Sequence, residues 1–112
     1  MGTAGKDRLQ GTLDLLILKT LAVRGAAHGY AIAAHIDRVS DALLKVEEGS
    51  LYPALHRLEQ GGLIAAEWRI SETNRRARYY QLRPPGRRAL AREEKQWARL
   101  VRGVGTVLAQ EG

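Results

Sequence analysis

The sequence lacks several features that whole classes of proteins require. It has no cysteine, which excludes disulfides and thiolate chemistry and gives no sign of an oxidising compartment. Its longest run of leucine and isoleucine, residues 15–18, is far shorter than the roughly 20 apolar residues that a membrane-spanning helix needs. The N-terminus has no apolar segment of the kind found in secretory signals. We therefore expect a cytoplasmic protein that has no membrane partner.

The polar residues also lack the patterns of catalytic or metal-binding sites. The three histidines (28, 35 and 56) do not have the spacing of metal ligands, and without cysteine a structural zinc site is not expected. Asp37 and Asp41 are separated by one helical turn but have no companion base that would make a catalytic pair. The sequence thus predicts neither an enzyme nor a bound cofactor or metal ion.

The net charge of +6 is unevenly distributed along the 112 residues. Residues 1–65 contain seven basic and seven acidic side chains, whereas residues 66–112 contain eleven basic and five acidic ones. A basic excess confined to one part of a small protein indicates a polyanionic partner. The charge alone is explained equally well by a solvated cationic surface, so the interpretation depends on where the arginines lie.

The spacing of apolar residues predicts the order of the secondary structure elements. Helical spacing begins at Leu9 and stops before Gly25, and further helices are expected at about 29–40 and 48–60, with a short strand at Leu44 and Val46 between them. After Gly62 the period becomes two, which predicts a hairpin of strands 64–70 and 77–83. A long final helix follows at about 87–108. The residues expected to face inward in the hairpin are Ile64, Ala66, Trp68, Ile70, Tyr80 and Leu82.

This order predicts a mainly α fold with a small β-hairpin, namely a winged helix-turn-helix followed by a long C-terminal dimerisation helix. We expect residues 1–8 to form a flexible arm, residues 9–83 the winged-helix domain, and residues 84–112 the dimerisation helix.

The third helix is the candidate DNA-reading element. Leu51, Leu55 and Leu58 share one face, which must pack on the first two helices. Polar outward residues suit a DNA groove, since arginine pairs with guanine, glutamine pairs with adenine, and hydroxyl groups bind phosphate. An ordinary amphipathic surface helix has the same pattern. The candidate DNA-binding residues of this helix are Ser50, Tyr52, Pro53, His56, Arg57 and Gln60.

The hairpin strengthens the DNA-binding interpretation. Arginines cluster on or beside its turn, where they repel each other in the free protein, and such a turn fits phosphate contact or insertion into the minor groove. The candidate DNA-binding residues of the hairpin are Asn74, Arg75, Arg76 and Arg78.

Four ordered motifs resemble the PadR family of bacterial transcription regulators. They are residues 13–18 (LDLLIL), 28–32 (HGYAI), 48–64 (EGSLYPALHRLEQGGLI) and 78–82 (RYYQL), and the resemblance extends over about residues 9–97. It implies a homodimeric winged-helix regulator, usually a repressor, that contacts double-stranded DNA through the third helix and the wing. Family members usually have threonine where this chain has Arg83. Arg83 cannot accept the hydrogen bond of a helix cap, so the start of the last helix stays open.

The last helix carries an apolar stripe that needs a partner. Leu90, Trp97 and Val104 recur every seven residues, and dimerisation is the simplest way to bury them. The expected dimer interface comprises Leu90, Trp97, Leu100, Val101, Val104 and Leu108. In some drug-sensing relatives a tryptophan on this helix holds planar ligands, so Trp97 is either an effector site for a small aromatic molecule or a residue of the dimer core. The alternative function is a winged-helix module that binds an acidic protein partner.

Overall fold

The computed structural model describes the backbone from Ala4 to Gly112 and the side chains from Gly11 onward. Four helices and three short strands follow one another in the order that a winged helix requires, which confirms the predicted fold class. Their bounds are α1 Ala4–Arg24, β1 Ala27–His28, α2 Gly29–Val39, α3 Glu48–Gln60, β2 Ile64–Ile70, β3 Arg76–Leu82 and α4 Pro84–Leu108.

The core forms where α1, α2 and α3 meet the base of the hairpin. Three apolar residues of α1 lie in it, and the third helix contributes the face that its leucine spacing predicts. Burying each such leucine or isoleucine side chain stabilises the fold by about 1.5–3 kcal/mol. The fully buried side chains are Ile17, Leu18, Leu21, Ile32, Leu51, Leu55 and Ile64.

The three strands form one antiparallel sheet in the order β1-β3-β2. Ala27 pairs with Tyr80 across β1 and β3, and Ile64 pairs with Leu82 across β2 and β3. Strand β1 was not expected, because two residues are too few to show a period of two. It connects the end of α1 to the sheet and so fixes the start of α2.

The predicted strand at Leu44 and Val46 is wrong. These residues lie in the irregular connection between α2 and α3. Together with Leu13 and Leu16 they line a groove of about 530 Å³ between α1 and the start of α3. Their apolar character therefore reflects packing beside α1 and not pairing in the sheet.

The inward positions of β2 are buried only where the strand crosses the core. Ile64 is buried and Ala66 is half-buried, whereas Trp68 and Ile70 are 57% and 64% exposed. The expectation that all four face the interior is thus wrong for the last two. The hairpin extends beyond the helices, so that its alternating pattern continues where no core remains to cover it.

Helix α3 ends in the glycine cap that the sequence predicts. Gly62 adopts φ +74°, a conformation that glycine takes without steric cost. The Leu63 N–H donates to the Leu58 carbonyl, and the Gly62 N–H donates to the Glu59 carbonyl, both at 3.0 Å. This pair of bonds is the Schellman motif, which turns the chain sharply from α3 into β2.

The first and last helices both begin earlier than expected. Helix α1 is already formed at Ala4, so residues 4–8 of the predicted arm are helical, while residues 1–3 lie outside the described residues. Helix α4 begins at Pro84 and not at about Arg87. The side chain of its cap residue Arg83 makes no capping bond and instead donates from Nη1 to the Gly62 carbonyl at 3.0 Å.

Between residues 4 and 112, none of the helices is long and apolar enough to cross a membrane.

Candidate nucleic-acid interface

Helix α3 divides into a buried face and an exposed face. Leu51, Ala54, Leu55 and Leu58 are buried against the core. Successive residues of a helix are rotated by about 100°, so the side opposite the buried face carries four exposed residues in one row along the helix. This row consists of Gly49, Pro53, His56 and Gln60. Three of the residues predicted to bind DNA, namely Pro53, His56 and Gln60, therefore share one exposed row, and the exposed Ser50 lies beside its N-terminal end.

Tyr52 occupies the flank of α3 that faces α2. A Cβ atom on Gly29 would lie 2.8 Å from the Tyr52 hydroxyl oxygen, so the tyrosine ring rests directly on the first residue of α2. Tyr52 as a whole nevertheless remains 46% exposed. Tyr52 thus fixes the spacing of the two helices of the helix-turn-helix while its remaining surface stays accessible.

Arg57 is held by the first helix. Its Nη2 donates to Asp14 Oδ1 at 2.5 Å, across a separation of 43 residues in sequence. Burial raises the pKa of the Asp14 carboxyl above its usual value, and the Arg57 guanidinium partly offsets that increase. The predicted base-reading arginine therefore points toward α1 and forms an ion pair there.

Arg78 is held in a similar way on the other flank of α3. Its Nη2 donates to Glu59 Oε2 at 2.7 Å, which joins strand β3 to the last turn of the helix. The Arg78 Nε is buried and makes no hydrogen bond with the described residues. Ion pairs thus attach α3 to the first helix on one side and to the wing on the other.

The wing turn is built by short polar side chains. The Asn74 N–H donates to the Ser71 carbonyl at 2.9 Å, and Asn74 adopts φ +60°, which asparagine tolerates better than most residues. The Ser71 N–H donates to the Arg75 carbonyl at 2.7 Å and closes the hairpin. Asn74 and Arg75 therefore lie exposed at the protruding end of the molecule.

Two more wing arginines lie over aromatic rings. The Arg76 guanidinium carbon is 4.9 Å from the centre of the Trp68 ring, and that of Arg69 is 5.2 Å from the centre of the Tyr79 ring. Arg69 also donates to Glu67 at 2.6 Å. Glu67 thus offsets the charge of Arg69, whereas Arg76 stays exposed and keeps its positive charge at the surface.

Helix α4 carries its apolar stripe beyond the core. Leu90 is buried in its own chain at 7% exposure, so it does not belong to a free interface as predicted. The stripe becomes accessible from Trp97 onward, with Trp97 itself 43% exposed. The remaining members of the accessible stripe are Leu100, Val101, Val104, Val107 and Leu108.

Two residues of this region were missed by the sequence analysis, Asp14 and Glu59. Asp14 is an acidic residue within the apolar stretch of α1, which is a weak signal that a cationic partner lies nearby. The sequence contains no signal that Asp14 pairs with Arg57 or that Glu59 pairs with Arg78. Among the described side chains, no three histidine, aspartate or glutamate residues are arranged to hold a metal ion.

The chain is similar to known regulators in both sequence and fold. The sequence model of the Transcriptional regulator PadR-like family matches residues 17–92. A PadR family transcriptional regulator from Eggerthella lenta is 34% identical, with a TM-score of 0.75, and the match covers 97% of this chain and 93% of that one. A transcriptional regulator from Clostridium thermocellum is 30% identical, with a TM-score of 0.78 and coverage of 89% and 96%. A PadR family regulator from Clostridium difficile is 28% identical, with a TM-score of 0.71 and coverage of 86% and 97%. Comparison with curated protein sequences gives no match.

Proposed function

This chain belongs to the PadR-like family of transcriptional regulators, and from that membership we propose that it is a repressor that binds a palindromic operator as a homodimer. The observation that carries the proposal is the exposed row of α3 beside a basic wing. The row includes the polar residues His56 and Gln60 on the exposed side of a helix, which suits a major groove, and the exposed wing turn suits phosphate contact or the minor groove. Such a protein acts in the cytoplasm, where the DNA is.

The homodimer is supported by the accessible stripe of α4. Residues 97–108 present six apolar side chains on one helix face over about 18 Å. A second copy related by a two-fold axis covers this stripe with the same stripe of its own. The same axis relates two α3 helices, so that the complex reads two half-sites in inverted repeat.

The proposed effector site is Trp97. Trp97 lies on the stripe and is partly exposed, so two copies facing each other across the axis can leave an apolar slot for a planar aromatic molecule. The competing role for the same residue is packing within the dimer interface.

The experiment for DNA binding is the salt dependence of affinity for duplex DNA. We expect the wild-type protein to bind its own promoter region with a steep decrease in affinity as salt increases, because binding releases counterions from the phosphates. Replacing Arg75 and Arg76 by alanine should weaken binding to all sequences and flatten the slope by about one unit for each phosphate that the variant no longer neutralises.

A variant with Arg92 and Lys95 replaced by alanine is the matched control, since it removes the same charge from an exposed part of α4 that lies outside α3, the wing and the accessible stripe. Equal slopes for the wild type and the wing variant would contradict the proposed interface. If the wild type binds no duplex DNA but captures an acidic protein, the fold serves protein–protein contact instead.

A further inference from the structure

The arginines near the candidate interface differ in whether they form an ion pair with a carboxylate of the same chain. Arg57 pairs with Asp14, Arg78 pairs with Glu59, and Arg69 pairs with Glu67. Arg75 lies exposed in the wing turn, where its backbone groups form the hydrogen bonds that close the hairpin. A carboxylate sets the direction of the guanidinium that it binds and occupies part of its donors, so Arg57 is directed toward α1 and away from the exposed row.

The two pairs on α3 are arranged as attachments on opposite flanks of one helix. Arg57 and Glu59 are two positions apart, which places them about 200° apart around the axis. Asp14 receives Arg57 from the α1 side, and Arg78 approaches Glu59 from the wing. Because each attachment fixes one flank, the two together restrict rotation of α3 about its axis. Together with the buried face of α3, the two pairs help to hold the exposed row at one angular position relative to the wing.

The two members of the row whose side chains can form hydrogen bonds with base edges lie in its C-terminal half. His56 and Gln60 are exposed and lie one helical turn, about 6 Å, apart along α3. This distance corresponds to about two base-pair steps. Glutamine pairs with the N6 and N7 positions of adenine, and an imidazole N–H can donate to the O6 or N7 acceptors of guanine.

We propose that His56 and Gln60 are the specificity-determining residues of α3, whereas Arg57 and Arg78 are positioning residues that act through Asp14 and Glu59. This assignment rests on the proposed function and deepens it. It replaces the expectation, drawn from helical spacing alone, that Arg57 reads guanine. Each half-site then contains an adenine at the Gln60 contact and a hydrogen-bond acceptor base, such as guanine, at the His56 contact.

The first test is selection of binding sites from a random duplex library, followed by affinity measurements on every single-base-pair variant of the wild-type site. His56→Ala and Gln60→Ala should each lose discrimination at one position in each half-site, by about 5- to 150-fold. Arg57→Ala should lose affinity by one common factor on all sites and retain the wild-type ranking. Its salt slope should equal that of the wild type, whereas Arg75→Ala, which removes a charge from the wing turn, should flatten the slope by about one unit.

The second test distinguishes positioning through Asp14 from general loss of structure. Asp14→Ala should produce the same common loss as Arg57→Ala, and the double variant should lose no more than either single variant, since both remove one interaction. Arg57→Lys keeps a positive charge for Asp14 but cannot bind guanine in a bidentate way, so it should retain affinity and base ranking. Circular dichroism spectra of all variants should match that of the wild type, which shows that each variant is folded.

Three results would overturn the assignment. One is that Arg57→Ala or Arg57→Lys loses discrimination at a single base position. Another is that Asp14→Ala leaves affinity unchanged or increases it, which would mean that the freed arginine reads DNA. The third is that His56→Ala and Gln60→Ala both keep the wild-type ranking. Failure of the wild type to select any sequence from the library would instead count against the proposed function, so the two failures are distinguishable.

Discussion

At the scale of single residues, Gly86 has the least room for a side chain among the glycines from Gly11 onward. It lies in the first turn of α4, and a Cβ atom there would overlap the Leu63 carbonyl oxygen and lie 2.7 Å from Leu82 Cδ1. Gly86→Ala should therefore lower the free energy of unfolding by about 1–3 kcal/mol, because the backbone of Leu63 must move. Urea denaturation followed by tryptophan fluorescence measures the change.

Gly105→Ala is the matched control in the same helix, since open space surrounds its Cβ position and it does not line the groove of the accessible stripe. That variant should raise the free energy of unfolding by up to about 1 kcal/mol through better helix propensity. Equal effects at the two glycines would show that the close approach at Gly86 does not constrain the fold.

Asp14 provides a second prediction at the residue scale. Burial raises the pKa of its carboxyl, and Arg57 lowers it through charge and hydrogen bonding. NMR titration should therefore give an Asp14 pKa above the usual range in the wild type and a still higher pKa in Arg57→Ala. An unchanged Asp14 pKa in that variant would contradict the ion pair in solution.

The same shift affects stability with a definite sign. The folded-state pKa of Asp14 lies above the unfolded-state pKa, so the folded protein binds its proton more tightly. The stabilisation that this provides is complete below the unfolded-state pKa and is lost as the pH rises through the folded-state pKa. Asp14→Asn lacks this term, so the wild type should lose stability relative to the variant over that pH interval, as measured by urea denaturation.

At the scale of elements, α4 divides into a part that completes the core and a part that projects from it. Ala89 and Leu90 are buried, and Lys19 contacts Glu94 at 3.4 Å. Deleting residues 97–112 keeps these contacts and removes the accessible stripe. We expect a folded monomer by light scattering and circular dichroism, with much weaker operator binding, because one half-site alone contributes little affinity.

Deletion of residues 109–112, which follow the helix, is the control and should leave the dimer intact. A stable dimer that lacks residues 97–112 would place the interface elsewhere on the chain.

At the scale of the whole molecule, the proposed dimer brings two copies of Trp97 near the symmetry axis. In a Trp68→Phe background the fluorescence reports Trp97 alone, since the chain has two tryptophans. Titration with planar aromatic molecules of either charge should give saturable quenching at micromolar concentration together with altered operator affinity. An unresponsive Trp97 across such a panel would assign this residue to packing only.

The sequence by itself determined most of the architecture. Leucine spacing located α3, the glycine pair located its end, and the change of period after Gly62 located the hairpin. Each of these signals is local, because helical and strand periods and glycine caps depend on neighbouring residues. The four motifs likewise pointed to the family that the comparisons then showed. The exposed row on α3 also followed from spacing alone, since helix geometry fixes which residues oppose the leucines.

The tertiary structure decided what each polar side chain contacts. The contact between Arg57 and Asp14 spans 43 residues, so no local pattern could show that the most prominent candidate for guanine recognition is already paired. Strand β1, with two residues, exists only because β3 lies beside it. Trp68 and Ile70 continue a buried pattern into solvent, because burial depends on where the core ends and not on the strand's own period.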